Sequence, residues 1–176
     1  MTFFLAGVAL LAAAAAVEPS CRASESGKSL DFWLGDWVVT SEDGSTTFGA
    51  NSVDLALDGC AIFERWKGAS GGEGNSLFAF DARKGAWEQV WVTGDTSKAG
   101  GLKHKKLIDA KDGVAIFQGE IISDSGEPYL DRTTLTRLDD GRVRQLIEIS
   151  TDGGKNWRAT FDGYYAKDAG DPPTDR

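Results

Sequence analysis

Asp31-Phe32-Trp33-Leu34-Gly35-Asp36-Trp37 decides the reading of this chain. It contains a Gly-x-Trp step, Gly35 to Trp37, at the entrance to the first of many short β-type runs. Glycine lets the backbone swing tightly into a strand, and a tryptophan two residues later has the area to plug one end of a small barrel. Outward from that step, Asp43-Gly44, Asp58-Gly59, Gly71-Gly72, Lys84-Gly85, Asp112-Gly113, Ser125-Gly126, Asp140-Gly141 and Asp152-Gly153-Gly154 punctuate the sequence. Such pairs supply the positive φ angles of tight hairpins. Between them lie about ten runs, near 36–42, 47–57, 60–67, 75–81, 86–93, 101–109, 114–122, 129–138, 142–150 and 157–166. Short links suit antiparallel neighbours and leave no room for crossover helices. The expected fold is all-β: a single up-and-down antiparallel β-barrel of about 8–10 strands over residues 30–167.

Period-two alternation sorts the side chains between the faces of each run. Trp87, Gln89 and Trp91 share a face; Ile62, Glu64 and Trp66 oppose Phe63, Arg65 and Lys67. Val143, Gln145, Ile147 and Ile149 fall together, as do Trp157, Ala159, Phe161, Gly163 and Tyr165. The faces holding Trp87, Trp91, Val143 and Phe161 are the expected interior. Buried amides need partners, so Gln89 and Gln145 either bond each other or face a cavity. Trp37 is expected to close the barrel bottom under a stacked arginine, Arg132 or Arg158. Glu64 and Glu120, with Arg132 or Arg144, are candidate buried acids; Glu64 with Arg132 is the inward pair to look for, against a preferred reading as outward, salt-bridged positions.

The 176 residues suffice for one domain with its own core. Residues 1–16 carry no charged side chain and end in the small residues Ala12 to Ala16, as a secretory signal peptide does before its cleavage site. The alternative is an apolar tail or a misplaced start. This run is shorter than the roughly 20 apolar residues of a membrane span, so the mature chain is expected to hold no integral membrane segment and to be periplasmic or secreted. A polar leader follows over 17–29, and 168–176 reads as a disordered C-terminal tail. The net charge of −8, from 27 acidic and 19 basic side chains, repels phosphate and weighs against nucleic acid as a partner. Lys103-His104-Lys105-Lys106 alternates between faces and is expected to be a solvated, aggregation-resistant edge. In an oxidising compartment a disulfide between Cys21 and Cys60 is the leading reading; lipid attachment at Cys21 and two free thiols are the others.

Ser150-Thr151-Asp152-Gly153-Gly154-Lys155-Asn156-Trp157 fits Ser-x-Asp-x-Gly-x-x-Trp. It resembles the Asp-box hairpins that sialidases repeat, in which the aspartate caps the turn and the tryptophan packs beneath it. A single copy without repeated blades implies a structural hairpin, not that enzyme. His104 is the only histidine, so neither a metal cluster with ligand spacing nor a Ser–His–Asp set is expected, and no cofactor. Gly71-Gly72-Glu73-Gly74 lacks the Gly-Lys-Ser/Thr of a phosphate loop and reads as a hairpin tip.

Taken together, Cys21, Leu30 to Trp37, Gly59-Cys60, Glu64-Arg65-Trp66, Trp87 to Val92, Gly141 to Gln145 and Phe161-Asp162-Gly163 resemble a family of uncharacterised exported bacterial proteins over about residues 21–166. The chain departs from that pattern at Leu30 and Glu88, where the family tends to Phe and His. The resemblance implies a lipocalin- or calycin-like barrel, export and paired cysteines, and no established activity. The expected function is binding of a small, mostly apolar molecule in an aromatic-lined cavity, with Trp66, Trp87 and Trp91 as walls and Gln89 and Gln145 orienting a polar group. The rivals are a cofactor-free isomerase, cyclase or hydrolase in the same cavity, and a cell-envelope interaction protein with a filled core.

Overall fold

The structure, a computed structural model, describes residues 20–168. The proposed signal peptide, leader residues 17–19 and the tail beyond 168 lie outside the described residues. Ten strands follow one another: β1 (Gly35–Thr40), β2 (Thr47–Ala56), β3 (Ala61–Gly68), β4 (Glu73–Asp81), β5 (Ala86–Thr93), β6 (Leu102–Lys111), β7 (Val114–Ile122), β8 (Pro128–Arg137), β9 (Val143–Ser150) and β10 (Arg158–Lys167). Each pairs antiparallel with the next, and β10 pairs with β1 to close the ring. The result is an all-β, ten-stranded, up-and-down antiparallel barrel of the lipocalin/calycin-like kind. The hairpins turn where the glycine pairs lie: Asp112 and Gly113, the two residues between β6 and β7, both adopt positive φ (53° and 81°), the conformation whose twist matches the flanking strands.

One end is packed shut. Trp33 and Phe78 meet edge to face at 5.3 Å, Phe78 meets Phe117 at the same separation, and Trp37 meets Tyr165 at 6.4 Å. Leu30, Ile62, Trp87, Leu135 and Val143 complete this core. The Gly-x-Trp step works as read, since Gly35 takes φ +121° and Trp37 is buried, its Nε1 donating to the Trp33 carbonyl at 3.0 Å. The cation over the indole is neither Arg132 nor Arg158 but Lys167, 3.8 Å from the Trp37 ring. Pairing of β1 with β10 puts Lys167 directly across from Trp37. Arg132 is held elsewhere, outside the barrel, 3.8 Å over Trp157 and bonded to Glu148 at 2.8 Å.

Leader residues 20–29 belong to the fold. Ser24 caps a one-turn helix, α1 (Glu25–Lys28), its Oγ accepting from the Gly27 amide at 3.1 Å. Arg22 grips Asp31 through both terminal guanidinium nitrogens, and Trp87 Nε1 donates to the Ser26 carbonyl at 3.0 Å. Cys21 is disulfide-bonded to Cys60. The segment therefore caps the closed end and does not merely precede the barrel.

Two local expectations fail for identifiable reasons. Because the ring is closed, 103–106 is no edge: Lys105 is buried and only His104 and Lys106 face solvent. In β10 the pairing with β9 slips by one residue between Ala159 and Phe161. That bulge at Thr160 reverses the alternation, so Phe161 packs inside while Trp157 lies outside under Arg132.

Candidate functional site

At the end opposite the disulfide the strands part around a cavity of about 350 Å³. Inward side chains two residues apart build it in two tiers. Trp66 of β3, Trp91 of β5, Ile147 of β9 and Phe161 of β10 stand near the mouth; one step deeper come Glu64, Gln89 and Gln145, and Tyr165, two steps below Phe161, reaches up beneath them. On β6 the same step gives Lys103 and Lys105, and Thr133 of β8 completes the floor. Phe48 packs on Phe161 at 5.7 Å, and Trp66 meets that ring edge on at 6.1 Å, so the mouth is aromatic and stiff.

The floor is a hydrogen-bonded polar network. Glu64, 3% exposed, accepts from Asn51 Nδ2 at 3.1 Å and from Ser76 Oγ at 2.6 Å. Gln89 Nε2 donates to Ser76 Oγ at 3.0 Å, and Tyr165 OH donates to Gln145 Oε1 at 2.6 Å. Lys105 Nζ pairs with Asp131 and donates to Thr133 Oγ1 at 2.6 Å; Lys103 reaches the second Asp131 oxygen at 2.7 Å. Gly119 of β7 sits directly across from Asp131, and a Cβ there would strike the His104 backbone oxygen. That glycine lets β6 lie close against β7, so both lysines reach across it to Asp131.

Burial governs the charges here. It pushes the Glu64 carboxyl up, against the opposing hydrogen bonds from Ser76 and Asn51 and the Lys105 charge. It lowers the Lys105 ammonium to about 8, partly offset by Asp131. Tyr165 is raised well above the phenol range by burial and then by Glu64.

Of the side chains expected from sequence, the cavity brings together Trp66, Gln89, Trp91, Gln145 and Glu64. Trp87 does not line it: its ring is fully buried in the closed-end core against Phe80, 5.2 Å away. Strand β5 runs from the closed end to the mouth, so the inward residue next before Gln89 already lies in the core. The Glu64–Arg132 pair does not form. Glu64 points inward, contrary to the preferred outward reading, whereas Arg132 points outward to Glu148. Glu120 is exposed, and Arg144 bonds Asp162 at 2.7 Å on the outer surface. Gln89 and Gln145 do not bond each other; each has another partner. Lys105, Thr133 and Asp131 were missed. Alternation alone places Lys103 with Lys105, and Asp131 with Thr133, so the signal was present in the period.

The Asp-box hairpin forms as read and stands beside the mouth. Asp152 Oδ1 accepts from the Lys155 and Asn156 amides at 3.0 and 2.9 Å, and Trp157 Nε1 donates to the Gly154 carbonyl at 3.0 Å. No group of His, Cys, Asp and Glu able to hold a metal occurs among the described residues. No described helix is long and apolar enough to cross a membrane. Compared with known proteins, the chain matches no protein-family model and no curated protein.

Proposed function

We propose that this protein is an exported binding barrel that takes one small, mostly apolar molecule into the cavity between Trp66, Trp91 and Phe161, as a member of the exported bacterial family its motifs resemble. The observation carrying the reading is the tiered cavity itself, an aromatic mouth over a polar floor. Its volume falls at the low end of the roughly 300–1,000 Å³ that small-molecule sites occupy. Binding draws on removal of apolar surface from water, at about 25 cal/mol per Å², while the floor orients one polar group. The disulfide and the motif resemblance support export to a periplasmic or extracellular compartment. Native mass spectrometry of the protein purified from its own cells tests this. A non-covalent mass released on denaturation supports the reading. A bare polypeptide whose Trp66 and Trp91 fluorescence no apolar probe perturbs would sink it.

A second reading is favoured by Glu64 alone. An inward carboxyl raised by burial, in a cavity with Lys105, is the kind of group a cofactor-free isomerase, cyclase or hydrolase uses for proton transfer. Conversion of a bound molecule, abolished by Glu64→Gln while binding persists, would establish it.

A further inference from the structure

The polar floor offers its donors and acceptors unevenly. An ammonium has three N–H donors. Lys105 directs one toward Asp131 and one to Thr133, and Lys103 directs one to Asp131. Among the described residues this leaves one donor on Lys105 and two on Lys103 without a protein acceptor. Two cations thus share one buried carboxylate, and burial drives the neighbouring Glu64 towards its neutral form. The floor therefore favours an anion. Gln89 shows the opposite need. It is 6% exposed, its amide nitrogen is taken by Ser76, and its Oε1 has no partner among the described residues. A buried acceptor left unmet costs free energy that a ligand donor would recover. Gln89 lies directly across the β5–β6 ladder from Lys105, both side chains lining the cavity. A ligand head that meets both needs presents an anionic acceptor with a donor beside it.

We propose that the cavity selects an amphiphilic monocarboxylate bearing a hydroxyl or amide N–H close to its carboxylate. The carboxylate sits on Lys103 and Lys105, the neighbouring donor bonds Gln89 Oε1, and the apolar body rises between Trp66, Trp91 and Phe161. The inference rests on the carrier reading above and adds the head group to it. At an interior packing density of about 0.74, the cavity holds roughly 260 Å³ of molecule. That is ample for an eight-carbon acid.

The test is calorimetric titration of the full chain at neutral pH with four eight-carbon probes: 3-hydroxyoctanoate, octanoate, 1-octanol and octylammonium. Octanoate should bind about tenfold or more tighter than 1-octanol, as a charge-assisted contact exceeds a neutral one. The 3-hydroxy acid should gain about a further fivefold through Gln89, and octylammonium should bind weakest. Gln89→Met should erase the hydroxyl preference and keep the acid preference. Lys103→Met, at a partly exposed position that spares the buried Lys105–Asp131 pair, should cut the acid preference. Equal binding of acid and alcohol, or tighter binding of the amine, overturns the head-group inference and leaves the carrier reading standing. Failure of all four probes to bind overturns both.

Discussion

Removing the Cys21–Cys60 bond should weaken the closed end without touching the cavity. The bond joins residues 39 apart in sequence. In the chain-entropy treatment, a loop of that length withholds roughly 13 cal/mol/K from the unfolded chain, or about 3.9 kcal/mol at 25 °C. For a domain of this size each kcal/mol moves Tm by roughly 2–4 °C, so a drop of about 8–16 °C is expected. The loss has a structural counterpart. Cys21 tethers the segment whose Ser26 carbonyl accepts from Trp87, so its release exposes a fully buried indole. Scanning calorimetry of the parent and of a Cys21→Ser, Cys60→Ser chain measures the shift, and titration of both with one cavity probe supplies the control. A drop below about 3 °C would mean that Arg22 on Asp31 and the Trp87 contact hold the cap unaided, refuting the entropic reasoning. A fall in probe affinity in step with Tm would refute the independence of the two ends.

Trp91→Ala should weaken ligand binding by about 2 kcal/mol, near 30-fold, the order expected when one large apolar side chain is withdrawn from the contact, with Tm little changed. Trp157→Ala should do the reverse, costing about 1–2 kcal/mol of stability through the lost Arg132 stacking and Gly154 bond while affinity holds; equal effects of the two variants on both readouts would erase the distinction. Lys105 has a folded pKa lowered from 10.5 to about 8, so between those values the unfolded chain binds the extra proton and stability rises with pH. Urea denaturation at pH 8 to 10 should show the parent gaining up to about 1.4 kcal/mol per pH unit relative to Lys105→Met, and no difference in slope would contradict the burial argument. Glu64 is shifted the other way: the folded state holds its proton longer, so its contribution is present below the usual carboxylate range and fades as pH rises through the folded value. Glu64→Gln should remove that slope and be neutral or stabilising at pH 7, as followed by denaturation across pH 4 to 8.

The ten runs and their antiparallel order were legible because each strand is flanked by a turn whose chemistry is local. Asp112-Gly113 declares a hairpin wherever it stands. Facing was legible for the same reason along β5, where Trp87, Gln89 and Trp91 all point inward; along β3 alternation grouped Ile62, Glu64 and Trp66, but a charged Glu64 argued for solvent and the inward side was not chosen. What failed depended on more than one strand. The bulge at Thr160 is a property of β9 and β10 together and cannot be seen in either alone. Depth along the barrel axis separates Trp87 from Trp91, yet the two are equivalent in alternation. Charge prejudice hid the floor: a Lys-His-Lys-Lys run suggests solvent, and only closure of the ring with a partner at Asp131 makes an inward Lys105 tolerable. The partner of Trp37 was set by the last strand, since Lys167 faces it across the closing ladder.

The unequal ends of the barrel bear on how its descendants can diverge. Around the cap, a methyl group added at Gly27 or Gly59 would collide with the Cys21 backbone or the Arg22 side chain; at the mouth, one added at Gly72 or Gly94, which do not need a positive φ, would meet nothing within 4 Å. Drift and insertion are thus channelled to the hairpin tips that ring the entrance, where loops tolerate change. A lineage built on this chain can re-cut its entrance for new cargo while the stapled base is inherited intact. Relatives should accordingly differ most in the five tips between β1–β2, β3–β4, β5–β6, β7–β8 and β9–β10, and least around Cys21, Trp33 and Trp87.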